Sequence, residues 1–245
     1  MNTPNAVALV TGASRGIGAA IARRLARDGF AVIVNYAGRA GDAEAVVAEI
    51  EQGGGRALAV QADVSDAAAV ARMFDAAQAA YGGVDVLVNN AGILRVATLA
   101  DSDDALFDQQ VAVNLKGTFN TLREAARRLR DGGRIVNMST SLVGLCVPTY
   151  AVYAATKAGV ETMAHILTKE LRGRGITVNT VAPGPVATSL FLDGKSQELI
   201  DRSANQAPLE RLGQPEDIAN AVAFLAGPDG AWVNGQTLRV NGGIV

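Results

Sequence analysis

Short, nearly unbroken apolar runs alternate along this chain with longer stretches whose apolar residues recur every three or four positions. Runs at 6–10, 31–36, 56–61 and 84–89 are five or six residues long. Continuous apolar character over that length suits strands buried on both faces. Between them, 19–28, 43–52 and 66–81 have helical spacing. Ile21, Ala22 and Leu25 share one face, and Val70, Met73, Phe74 and Ala77 share another. Gly29 and the glycines at 53–55 stop the first two of these helices. The rhythm repeats in the second half. A helix is expected over 103–128, a strand over 134–138, a helix over 150–171 and a strand over 176–181. A helix opened by Pro215 follows over 215–225, then a last strand over 236–240. Seven strands alternating with helices predict an α/β fold: a doubly wound parallel sheet with helices on both faces, in one domain over 1–245. Only the segment at about 184–212 breaks the rhythm. A stretch of that length without a strand is expected to be a substrate-binding lid.

The turn after the first strand adds chemistry. Thr11, Gly12, Gly16 and Gly18, with Ser14, Arg15 and Ile17 between them, lie between a strand and a helix. Glycines there permit a tight turn and a close approach of pyrophosphate to the backbone, while the helix start offers free N–H groups. The expected architecture is therefore a Rossmann fold binding a dinucleotide. The second strand ends at Asn35 and Tyr36 without a carboxylate, the group that would favour a free ribose hydroxyl. Arg15 and Arg39 instead supply guanidinium groups for a 2′-phosphate, so NADP(H) is preferred over NAD(H). Asp63 and Val64, at the end of the third strand, are placed beside the adenine.

Composition narrows the rest. A net charge of −2 excludes a nucleic-acid binder that works through a broad basic face. No apolar run is long enough to span a bilayer, and residues 1–5 are polar, so no signal peptide is read there. The one cysteine and one histidine exclude a disulfide, a cysteine- or histidine-based metal site and a Ser-His-Asp triad. A cytoplasmic protein without a metal is expected. Tyr153 and Lys157 stand four residues apart in the 150–171 helix, on one face. A cation beside a phenol favours the phenolate and is expected to lower its pKa, making a proton carrier for a carbonyl or an alcohol.

Together these motifs resemble the short-chain dehydrogenase/reductases of about 250 residues. The glycine turn, the stretch from Asn89 through Asn90 and Ala91 to Gly92, and Asn114 all match. So do Tyr153 with Lys157, and Pro183, Gly184, Pro185, Val186 and Thr188. The match as a whole is similar to carbonyl reductases such as 3-oxoacyl-carrier-protein and polyhydroxynaphthalene reductases, and the contexts of Asn35, Tyr36 and Ala37, and of Ala151, Val152 and Tyr153, resemble the latter. The resemblance implies Tyr153 as acid/base, with Lys157 tuning it and holding the nicotinamide ribose. It implies Asn114 as the holder of a water by its backbone, and a loop at 183–188 around the nicotinamide. It also implies a hydroxyl that positions the substrate. The Ser-x-x-Gly match favours Ser141, whereas the count along the strand favours Thr140. A homotetramer or homodimer is implied, with 233–243 at a subunit contact.

The function expected is NADPH-dependent reduction of a ketone or aldehyde. An alcohol or sugar dehydrogenase and a non-catalytic NADP(H)-binding sensor are the alternatives. Leu94, Val96, the 142–149 segment and Phe191 are expected to line the pocket, and their small or apolar character suits an uncharged carbonyl compound. His165 is expected to be partly buried or in a subunit contact, Cys146 to be a small filler lining the pocket, and Trp232 to pack in an interface.

Overall fold

The computed structural model describes residues 6–245; residues 1–5, where a polar lead was read, lie outside them. Seven strands form one sheet in the order β3-β2-β1-β4-β5-β6-β7, and every neighbouring pair is parallel. They are β1 (Val7–Val10), β2 (Ala31–Tyr36), β3 (Arg56–Gln61), β4 (Val84–Asn89), β5 (Leu129–Met138), β6 (Thr177–Pro183) and β7 (Thr237–Val240). The order reverses between β1 and β4, where ligands bind in open parallel sheets. Alternate side chains separate two cores, as a period of two requires. Ala8 and Val10 join Ile21, Leu25 and Ile218 on one face; Val7 and Leu9 join Phe74, Leu122 and Leu167 on the other.

The first face is covered by α1 (Gly16–Arg27), α2 (Ala40–Gln52) and α10 (Pro215–Ala226). The second is covered by α3 (Ala67–Tyr81), α5 (Gly117–Arg128) and α7 (Ala151–Glu170). The long helix expected over 103–128 is α4 (Asp104–Gln110) and α5 joined by a π-helical stretch, Val111–Lys116. Some of the expected boundaries differ. Helix α1 starts inside the glycine turn, and β5 begins at Leu129 because that residue pairs with Val84 across a bulge. The segment expected to lack structure holds α8 (Ser189–Leu192) and α9 (Gln197–Gln206), and a further turn, α6 (Leu142–Leu145), precedes α7. No helix among the described residues is long and apolar enough to cross a membrane.

Candidate active site

The carboxyl ends of the strands open onto two adjoining cavities, each about 460 Å³. The first runs along the glycine turn and past the ends of β2 and β3. No side chain caps the first turn of α1, so its N–H groups stay open to an anion. Gly12 has φ +60°, and a Cβ there would lie 2.9 Å from the Ala91 Cα. A Cβ on Gly18 would fall 2.4 Å from the Gly12 carbonyl oxygen and 2.5 Å from the Asn90 Nδ2. Only hydrogen fits either place. Asn90 locks the turn: its Nδ2 donates to the carbonyls of Thr11 at 2.9 Å and Gly12 at 3.0 Å. The Thr11 hydroxyl accepts from the backbone N–H groups of Asn90 and Ala91, both at 3.0 Å. These open N–H groups and side-chain-free backbones fit a pyrophosphate.

Ser14, Arg15, Gly16, Ile17, Tyr36, Asp63, Val64, Ala91 and Gly92 border this cavity. Asn35 borders it too, but its side chain is a brace. Its Oδ1 accepts the Gly12 N–H at 3.2 Å, and its Nδ2 donates to the carbonyls of Val60 at 3.2 Å and Ala62 at 3.0 Å. The Asp63 carboxylate accepts from the backbone N–H and hydroxyl of Ser65, each at 2.8 Å. Arg15 and Arg39 are exposed on the rim, and the Arg39 guanidinium lies 3.5 Å from the Asp42 carboxylate.

The second cavity holds the candidate chemistry. Helix α7 places Tyr153 and Lys157 on its wall. The Lys157 Nζ donates to the Met138 carbonyl at 2.9 Å and lies 5.8 Å from the centroid of the Tyr153 ring. Burial pushes the Lys157 ammonium down to about 8. It also pushes the Tyr153 phenol up to about 12; the nearby Tyr150 adds to this, and a hydrogen bond with Thr140 opposes it. The expected acidification of Tyr153 by its neighbouring cation is therefore reversed. Removing the phenolate from water costs more than an ammonium already bonded to a carbonyl returns.

The three hydroxyls after β5 take three different partners. The Thr140 hydroxyl accepts the Leu142 N–H at 3.3 Å and lies beside the Tyr153 phenol. The Ser141 hydroxyl donates to the Ala182 carbonyl at 3.3 Å and accepts from the Asn241 Nδ2 at 2.9 Å. The Ser139 hydroxyl donates to Glu161 Oε1 at 2.5 Å. The geometry thus points to Thr140 rather than Ser141 as the hydroxyl beside the phenol.

Asn114 sits fully buried in the π-helical stretch, the kind of widened turn often found at functional sites. Its Oδ1 accepts the Ile93 N–H at 2.8 Å, and its Nδ2 donates to the Ile93 carbonyl at 2.9 Å. This clamps the chain beside Gly92, where a Cβ would lie 3.2 Å from that Oδ1 and 3.4 Å from the Lys157 Nζ. Pro183, Gly184, Val186 and Thr188 line the second cavity, and Thr188 also borders the first.

Leu94, Leu142, Leu145, Val147, Leu199 and Ile244 make the second cavity's wall mainly apolar. Ile244 was not foreseen, because 233–243 was read only as a subunit contact. Its signal was the pair Gly242 and Gly243, whose φ of +68° and +90° turn the chain toward the cavity. Cys146 was expected to line the pocket, but it is exposed and absent from the wall that its neighbours Leu145 and Val147 form. It stands in a left-handed conformation that turns it outward. His165 is exposed rather than partly buried, its Nδ1 3.2 Å from the Gly235 carbonyl oxygen. No group of three metal-ligating side chains exists among the described residues.

Known proteins are similar to this chain along nearly its whole length. A family described as enoyl-(acyl carrier protein) reductase matches residues 12–245. The chain is 48% identical to the NADPH-dependent aldehyde reductase-like protein, chloroplastic, of Arabidopsis thaliana, over 98% of this chain and 94% of the relative. It is 46% identical to the 3-oxoacyl-[acyl-carrier-protein] reductase of Staphylococcus aureus, over 97% of both. The crystal structure of a short chain dehydrogenase from Burkholderia cenocepacia J2315 in complex with NADP superposes with a TM-score of 0.92. That protein is 42% identical, over 98% of this chain and 97% of the other.

Proposed function

This chain belongs to the short-chain dehydrogenase/reductase family, and from that premise we propose that it reduces a ketone or aldehyde to an alcohol with NADPH as the reductant. The observation that carries the reading is the meeting of Tyr153, Thr140 and Lys157 in a largely apolar cavity contiguous with the dinucleotide cradle. NADPH, when bound, supplies the hydride. The turn at 11–18 would hold its pyrophosphate, Asp63 and Val64 its adenine end, and Lys157 with the 183–188 loop its nicotinamide end.

The chain's own residues supply the proton and the positioning. A phenol held up to about 12 remains protonated at neutral pH, as a donor to a developing alkoxide must. Thr140 lies beside that phenol, and its hydroxyl is placed to bond the substrate oxygen as well. The apolar walls exclude water, and residues 184–212, with Phe191 and Leu199 facing the cavity, act as its lid.

The Lys157 environment sets a pH dependence. The lysine is charged below its pKa of about 8 and loses that charge as pH rises through it. The kcat/KM for reduction should be flat on the acid side and fall above about pH 8, with Tyr153 still protonated there. Initial rates from about pH 6 to about pH 10, bracketing that value on both sides, check this, and a profile flat to the alkaline end contradicts it.

We assign a homotetramer on two exposed apolar faces. Phe107, Phe119 and Ile166 mark one, on α4, α5 and α7; Phe224, Leu238 and Trp232, the last 98% exposed, mark the other around α10 and β7. Light scattering should give a mass four times that of the 25.2 kDa chain, and a monomer mass would overturn the assignment.

A further inference from the structure

Three successive turns of α7 are fastened to three successive residues at the end of β5. Tyr153 meets the Thr140 hydroxyl, the Lys157 Nζ donates to the Met138 carbonyl, and Glu161 accepts the hydroxyl of Ser139. The first two contacts belong to the proton-transfer machinery; the third has no part in it. Glu161 is partly buried, and no ion pair within 4.0 Å holds it among the described residues. Ser139 is 4% exposed, lines the second cavity, and separates the lysine's acceptor from the tyrosine's partner by one residue on either side.

We infer that Glu161 is a positioning residue for the reaction: by taking the Ser139 hydroxyl it fixes the end of β5, and so holds the Met138 carbonyl and the Thr140 hydroxyl where Lys157 and Tyr153 need them. The inference rests on the reductase reading above. The backbone supports it on both sides. The Ser139 N–H donates to the Val181 carbonyl and the Ser141 N–H to the Pro183 carbonyl, each at 2.8 Å, so β6 holds the peptides that flank Thr140. Those bonds act in the plane of the sheet. The bond to Glu161 runs from the strand end to the helix, the direction in which Thr140 must stay close to Tyr153. A carboxylate is a strong hydrogen-bond acceptor, suited to holding a hydroxyl in one rotamer.

The test is a mutant cycle on Glu161 and Ser139 in the full-length enzyme. E161A should lower kcat about tenfold while the KM for NADPH stays unchanged, since a small misplacement near the reacting groups is costly. E161Q should recover most of that loss, because an amide oxygen also accepts a hydroxyl proton. S139A should match E161A, and the double variant should lose no more than either single one, the mark of one shared interaction. Full kcat in E161A, additive losses in the cycle, or a lowered Tm with kcat intact would each overturn the inference. Absence of carbonyl turnover in the wild-type enzyme would count against the reductase reading. The positioning role then stands or falls on a crystal structure of E161A. It should show the Thr140 hydroxyl displaced from Tyr153; an unmoved hydroxyl would overturn it.

Discussion

Replacing Tyr153 with phenylalanine should lower kcat for carbonyl reduction about a thousandfold, within the range for loss of a general acid. The affinity for NADPH should change less than about threefold, since only one hydroxyl is removed. The substitution keeps the ring that fills the wall of the second cavity and removes the hydroxyl that meets Thr140. Fold and cradle are therefore preserved, and the loss isolates proton donation. Stopped-flow rates and fluorescence titration of NADPH check the two halves. A variant that retained more than about a tenth of wild-type turnover would remove Tyr153 from the chemistry. A non-catalytic NADP(H) sensor would show the binding half alone, with no turnover in the wild type to lose.

The second large effect concerns the cofactor. The double variant R15A/R39D should lower kcat/KM for NADPH about a hundredfold and leave that for NADH within about threefold. Each guanidinium contributes about 1.5–3 kcal/mol when it hydrogen-bonds a phosphate, and 1.4 kcal/mol is a factor of ten. Both arginines are exposed on the rim of the first cavity, and β2 itself ends at Asn35 and Tyr36 without a carboxylate to bind a free ribose hydroxyl. Among the described residues, Arg39 has the Asp42 carboxylate, 3.5 Å away, to give up. Asn35 is buried and bonded to Gly12, Val60 and Ala62, so it leaves selection between the cofactors to the arginines. Steady-state rates with both cofactors decide the matter, and an unchanged ratio would refute the assignment of selectivity to these two residues.

Sheet and cradle were legible because their physics is local. Strands β2 and β4 begin and end where their apolar runs do, since an interior strand of a parallel sheet has no polar face; β3 keeps its expected bounds as an edge strand, with Arg56, Leu58 and Gln61 exposed. The start of α1 was missed by three residues because Gly16 and Gly18, breakers by propensity, lie within its first turn. The π-helical stretch around Asn114 leaves the apolar spacing of the flanking helices intact, so periodicity passes over it. Helices α8 and α9 contain no fully buried residue, which leaves little apolar pattern to read.

The site's finest detail was the least legible. Ser139, Thr140 and Ser141 are chemically near-equivalent neighbours, yet one meets Glu161, one Tyr153 and one Asn241. Those partners lie 22, 13 and 100 residues away in sequence. The choice among them belongs to tertiary packing. So does the direction of the Tyr153 pKa: the spacing to Lys157 gave a cation, but only the fold revealed how far both groups are removed from water.

The most direct test of carbonyl reduction uses NADPH deuterated at C4 and a panel of β-ketoacyl thioesters, aldehydes, quinones and cyclic ketones. Each product is analysed by mass spectrometry, with Tyr153→Phe run beside the wild type. Wild-type enzyme should yield an alcohol carrying one deuterium on the former carbonyl carbon, and the variant should yield almost none. Unlabelled carbonyl compounds throughout the panel, or equal labelling by the variant, would contradict the account.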